Sequence, residues 1–239
     1  MDLDPQANAT SGLGINKHNV KKSTYHVLLE ELDVKEILVP TSINNLSLAP
    51  SNLDLTGAEV ELVGTLGREY RLKRALVKEK ENYDFIFIDS PPSLGLLTIN
   101  AFCAADAIII PVQCEYYALE GLTQLNNTIK LIKDHLNPSL SLEGVLLTMA
   151  DFRTNLTKEV MQEVRNYFKD KVYETVIPRN VRLSEAPSYG KPIAIYDKDS
   201  LGARKYEELA GEILGIKPAL NRLDISEAES ADKNLQSGE

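Results

Sequence analysis

The segment Tyr83-Asp84-Phe85-Ile86-Phe87-Ile88-Asp89-Ser90-Pro91-Pro92 constrains the fold more than any other. A continuous apolar run, closed by one carboxylate and two prolines, reads as a strand buried on both faces and stopped sharply. Strands of that kind belong to parallel sheets covered by helices on both sides. In such sheets ligands sit beyond the carboxyl ends of the strands. Asp89 falls at that edge. A carboxylate there suits two roles: a cap for the next helix, or a hold on the water shell of Mg²⁺ in a nucleotide site.

The rest of the chain supplies the other layers. Leu46 to Ala49, Ala107 to Ile110 (ended by Pro111), Glu143 to Met149 and Val172 to Ile177 read as strands. Helices are expected over Thr56 to Val63, Arg68 to Lys80 and Leu94 to Ala104. The strongest helical pattern runs from Tyr116 to Leu136, where Leu119, Leu122, Leu125, Ile129, Ile132 and Leu136 recur at steps of three and four. Leu156 to Phe168, capped by Asn155 or Thr157, and Leu201 to Leu214, with Tyr206, Leu209 and Ile213 inward, complete the series. Alternation of this kind predicts an α/β fold, a doubly wound, mostly parallel sheet with helices on both faces.

Charge and cysteine content narrow the function. The net charge of −9 argues against bulk attraction to nucleic acid or anionic lipid. Leu223 to Glu239 holds five acids against Lys233, a net of −4, which leaves −5 on the body. Residues 1–217 are therefore expected to form the folded domain and 218–239 an acidic, disordered tail. The basic run Arg68, Arg71, Lys73, Arg74, Lys78 and Lys80 reads as a solvated helix face. Cys103 and Cys114 lie in apolar surroundings without a CxxC and read as buried free thiols of a reducing cytoplasm. The polar start, Met1 to Ser11, does not read as a signal peptide, and no apolar stretch suffices for a membrane span.

Four stretches, in order, carry a resemblance. They are Asp2-Leu3-Asp4-Pro5-Gln6-Ala7-Asn8-Ala9-Thr10, Ile88-Asp89-Ser90-Pro91-Pro92-Ser93-Leu94, Gln113-Cys114-Glu115-Tyr116-Tyr117-Ala118-Leu119-Glu120-Gly121, and Val176 to Pro187. From Met1 to about Gly215 the sequence resembles the ParA/Soj family of partition ATPases, deviant-Walker P-loop NTPases related to MinD. The first stretch matches that family's switch I loop and the second its Walker B and switch II. The resemblance implies that Asp4 positions the attacking water. It implies that Asp89 acts on Mg²⁺ through water, with Asp2 as a more distant partner of the metal. Pro178 and Asn180 would border the adenine of ATP. Arg153 and Arg182 would hold nonspecific double-stranded DNA, a role that suits guanidinium forks because they read no base. It further implies a homodimer when ATP-bound, a ParB-type partner, no membrane, and a cytoplasmic, nucleoid-associated location.

One part of that pattern is absent. ParA-type proteins reach switch I after a strand, a Lys-Gly-Gly-Val-Gly-Lys-Thr-Thr loop and a helix, whereas no G-x-x-x-x-G-K-[ST] occurs in these residues. That loop cradles the phosphates, neutralises them and supplies a hydroxyl to Mg²⁺. A βαβ portion of the fold, with a central strand, is thus expected to be missing, through a mis-called start, a broken gene or a real short form. The chain as given is expected to be inactive as an ATPase. Two other functions stay open. One is a nucleotide-independent module that binds ParA or ParB partners. The other is a MinD-like membrane-positioning ATPase, which the acidic terminus disfavours because that family ends in a basic amphipathic helix.

Overall fold

The computed structural model describes residues 1–115 and 118–216. The acidic tail expected over 218–239 lies outside the described residues, as do Tyr116, Tyr117 and the side chain of Leu119. In chain order the elements are α1 (Asn8–Gly12), α2 (Thr24–Leu29), β1 (Val39–Pro40), β2 (Ser47–Leu48), α3 (Leu55–Glu61), α4 (Arg71–Leu76) and α5 (Leu96–Ala104). There follow β3 (Ala107–Gln113), α6 (Ala118–His135), β4 (Ser141–Ala150), α7 (Asn155–Phe168), β5 (Val172–Pro178), α8 (Val181–Glu185), α9 (Ile193–Tyr196) and α10 (Leu201–Ile213).

The strands β3, β4 and β5 form a parallel sheet in that order, with Ile110 opposite Val145 and Ala150 opposite Pro178. Both faces are covered, because apolar side chains alternate to either side. Ile108, Ile110, Val112, Val145, Leu147 and Val172 enter the main core, together with Ile129 and Ile132 of α6 and Val160 and Val164 of α7. On the other face Leu146 and Ile177 meet Leu209 of α10, with Ile109 and Ile213 packed beside them. The Glu212 carboxylate pins α10 to β5 by accepting from the Glu174 N–H (3.1 Å), the Thr175 N–H (2.8 Å) and the Thr175 hydroxyl (2.7 Å). The doubly wound α/β reading therefore holds.

Several expectations need correction. The Tyr83–Asp89 segment is not buried on both faces. Ile86 and Ile88 pack on the core, but Phe85 and Phe87 are 56% and 64% exposed and stack on each other with centroids 6.2 Å apart. The physical reason is a missing neighbour. Backbone bonds join this segment to Met1–Leu3, through the Asp2–Asp89 bridge, and none joins it to β3 among the described residues. The β3 strand also continues through Pro111 to Gln113. Pro111 lies opposite Leu146 within the parallel β3–β4 pairing, so the strand runs through the proline.

Smaller corrections concern the helices. The basic run does not make one long helix, since α4 ends at Leu76 and a separate turn covers Lys80–Asn82. Four of its six charges pair with acids: Arg68 with Glu69 (2.9 Å), Arg71 with Glu31, Lys78 with Asp33 (3.3 Å) and Lys80 with Asp106 (2.8 Å). The cap of α7 is Thr154, whose hydroxyl accepts from the Thr157 N–H at 3.2 Å, rather than Asn155 or Thr157. Tyr206 of α10 is 42% exposed instead of inward.

Candidate functional site

The first two acidic residues are placed by backbone bonding. Met1–Leu3 runs between Ala49 and Asp89: Asp2 N donates to Ala49 O (3.0 Å), Asp89 N to Met1 O (2.9 Å) and Leu3 N to Asp89 O (2.7 Å). Residues more than eighty positions apart are thus locked side by side. The amino-terminal ammonium donates to Phe87 O at 2.6 Å, and burial lowers its pKa.

Each carboxylate has a distinct environment. Asp2 is fully buried and accepts from the Thr10 hydroxyl (2.6 Å), Thr10 N (2.8 Å) and Asp4 N (3.1 Å). Three donors satisfy a buried charge, so Asp2 is the anchor of the loop that carries Asp4. Asp4 is half-buried and closes a turn by accepting from Gln6 N at 2.9 Å. Asp89 has its pKa raised by burial first, then by the negative charges of Asp2 and Asp4. Three carboxylates crowd one edge of the fold, and a cation there would relieve them. Within the same loop Ala7 is held at φ 54°, ψ 43°, a left-handed conformation that costs a non-glycine residue about 1–2 kcal/mol. Strain of this kind collects at functional loops.

This donor set fits Mg²⁺ only through water. Among the described residues no group of three or more His, Cys, Asp or Glu is arranged to hold an ion directly. Asp89, with Asp2 behind it, would therefore meet a metal by way of its water shell, as Mg²⁺ prefers. The residues present do not form a phosphate cradle, and the sequence holds no G-x-x-x-x-G-K-[ST].

At the carboxyl end of β5, Pro178 is buried opposite Ala150, and Asn180 caps α8 by accepting from Arg182 N (2.9 Å) and Leu183 N (3.4 Å). The loop beyond α8 meets the loop beyond α1. Gly14 (φ +83°) and Gly190 (φ +61°) lie back to back, and a Cβ on Gly14 would come within 2.9 Å of Gly190 O. A cleft of about 370 Å³ opens beside them, lined by Ser11, Lys17, His18 and Tyr189 among others. The loop after α1 and the loop after α8 therefore meet backbone to backbone at Gly14 and Gly190.

The arginines expected at a DNA surface are exposed, and each is held by acids. Arg153 grips Asp151 with two bonds of 2.9 Å, which hold the Asp151 carboxyl down at about 2. Arg182 donates to Glu185 at 3.0 Å and lies 3.4 Å from Asp197. Arg179, which sequence reasoning passed over, is likewise exposed and held by an acid: its Nη2 donates to Glu115 at 2.8 Å. The signal available was its place directly after a strand end, beside Asn180. Burial pushes Cys103 up to about 11 and also raises Cys114, and both are buried free thiols, as expected.

Comparisons with known proteins agree with this layout. A family model described as an AAA domain (AAA_31) matches residues 1–142. Sporulation initiation inhibitor protein Soj of Bacillus subtilis (strain 168) is 61% identical over 213 residues, covering 89% of this chain and 84% of that protein. The chain belongs to the Soj/ParA family of chromosome-partitioning ATPases. Chromosome partitioning protein ParA of Myxococcus xanthus (strain DK1622) is 54% identical over 214 residues, covering 90% of this chain and 76% of that protein. Among solved structures, cobyrinic acid a,c-diamide synthase from Mycobacterium smegmatis with bound ADP and magnesium superposes with a TM-score of 0.76. It is 38% identical and covers 89% of this chain and 79% of that one. The α/β layers and the parallel sheet described above agree with that likeness. Among the described residues no helix is long and apolar enough to cross a membrane.

Proposed function

We propose that these residues carry the hydrolytic and DNA-contacting surfaces of a ParA-type partition ATPase. The observation that carries this reading is the locking of Asp2 and Asp4 beside Asp89 by the Leu3–Asp89–Met1 backbone bonds, in a chain 61% identical to Soj. Bound Mg²⁺ and ATP would supply the electrophilic phosphate. Asp4 would orient the attacking water, and Asp89 would hold the metal's water shell. Asp2, saturated by Thr10 and Asp4 N, keeps the loop in register. Pro178 and Asn180 border the adenine. Arg153 and Arg182 bind phosphates of duplex DNA without reading sequence, in an ATP-bound homodimer on the nucleoid, until a ParB-type partner triggers release.

The test joins to this chain the Gly-rich strand–loop–helix of a relative, which none of the 239 residues supplies. Duplex binding by that protein should require ATP and fall steeply with salt. Arg182→Ala should weaken it on all sequences alike, and a loss confined to one sequence would overturn the phosphate role. A second reading is a nucleotide-independent module that binds ParA or ParB. Binding to a ParB-type partner without ATP would favour it.

A further inference from the structure

The carboxyl ends of β4 and β5 bring a second arginine to Arg153. Arg179 N donates to Ala150 O at 3.0 Å, which roots Arg179 one residue from Asp151. The Arg153 guanidinium forks onto Asp151 through Nε and Nη2, both at 2.9 Å, while Arg179 Nη2 reaches Glu115 at 2.8 Å. The two side chains are 75% and 54% exposed. The positive charge of Arg179 also acts on the Asp151 carboxyl.

We propose that Arg153 and Arg179 are the two prongs of one phosphate clamp, occupied by Asp151 and Glu115 until a backbone phosphate of duplex DNA displaces them. This rests on the DNA reading above and adds a residue and a latch to it. A carboxylate accepting a bidentate guanidinium fork occupies the geometry that a phosphate takes. With the acids in place the cluster is close to neutral and attracts polyanions weakly. Exposed ion pairs of this type are only marginally stable, so they yield readily to a ligand whose binding releases counterions. Arg182 is held separately, by Glu185 and Asp197, and stands as an independent contact.

The test is fluorescence anisotropy of a labelled random-sequence duplex titrated at low salt, with ATP and Mg²⁺ present, with this chain joined to the Gly-rich strand–loop–helix of a relative. Arg179→Ala should weaken binding on the order of 10-fold, as much as Arg153→Ala, and should make the log–log salt slope shallower by about 0.9. Arg179→Lys, which keeps the charge and the fold but not the fork, should recover only part of the loss. Asp151→Asn should tighten binding several-fold. The charge controls on α7, Arg165→Ala and Glu159→Gln, should change it by less than about twofold. If Arg179→Ala matches Arg165→Ala, or Asp151→Asn matches Glu159→Gln, the clamp is overturned while losses at Arg153 and Arg182 leave the DNA reading standing. Absence of binding by every form, Asp151→Asn included, would overturn the DNA reading and the clamp with it.

Discussion

The Thr10 hydroxyl donates to Asp2 Oδ2 at 2.6 Å and accepts from Ser51 N at 3.0 Å, tying the Asp4 loop to the segment after β2. All three groups are buried. Thr10→Val keeps the shape but removes a donor from a buried carboxylate and an acceptor from a buried N–H. The expected loss in stability is about 2–4 kcal/mol. Thr10→Ser, which keeps both bonds, should stay within about 1 kcal/mol of the wild type. Denaturant unfolding of the two variants side by side separates the hydroxyl from the methyl.

Asp89 sets a pH dependence whose sign follows from its raised pKa. A carboxyl with a higher pKa folded than unfolded favours the fold when protonated, and that contribution is lost as pH rises through the folded value. Asp89→Asn should therefore raise stability at neutral pH, with the advantage shrinking as the solution is acidified toward the ordinary carboxyl range. Denaturant midpoints at pH 7 and pH 4 read this directly. A variant less stable than wild type at pH 7 would mean that burial and the two neighbouring carboxylates do not govern the site.

Asp151 titrates in the opposite sense. Held at about 2 by Arg153, it favours the fold while ionised and loses that contribution as pH falls through about 2. Carboxyl-carbon NMR should place its midpoint below the ordinary carboxyl range in the wild type. In Arg153→Ala it should return toward the ordinary carboxyl range.

Much of this was legible in the sequence, and the gaps have physical causes. The β4, α7 and α10 elements followed from apolar periodicity, because each buries a regular face. The exposure of Phe85 and Phe87 did not follow. A doubly apolar strand reveals what cover it needs, and whether a neighbour provides that cover is a tertiary fact. Pro111 looked like a strand end because proline has no N–H to give, yet the parallel pairing with β4 runs through it to Gln113. The nearness of Asp2, Asp4 and Asp89 came from resemblance alone, since no local pattern joins residues so distant. Arg179 was missed because its partnership with Arg153 is made across the β4–β5 pairing.

The Gly14–Gly190 contact leaves no room for side chains. A Cβ on Gly190 would sit 2.8 Å from Gly14 Cα, and both residues have positive φ. Alanine at either position should cost about 1–3 kcal/mol, from the left-handed conformation and the backbone clash together. At Gly12, where a Cβ would meet nothing within 4 Å, alanine should cost under about 0.5 kcal/mol. Thermal unfolding of the three variants checks the junction.

The most direct test of the account is ATP turnover, measured on the 239-residue chain and on the same chain joined to the Gly-rich strand–loop–helix of a Soj/ParA relative. The chain alone should release phosphate no faster than buffer, because Asp4 and Asp89 have no cradle to work with. The joined protein should hydrolyse ATP, and Asp4→Ala should remove at least about 100-fold of that rate. Turnover by the 239 residues alone that Asp4→Ala abolishes, or a joined protein whose rate ignores Asp4, would contradict it.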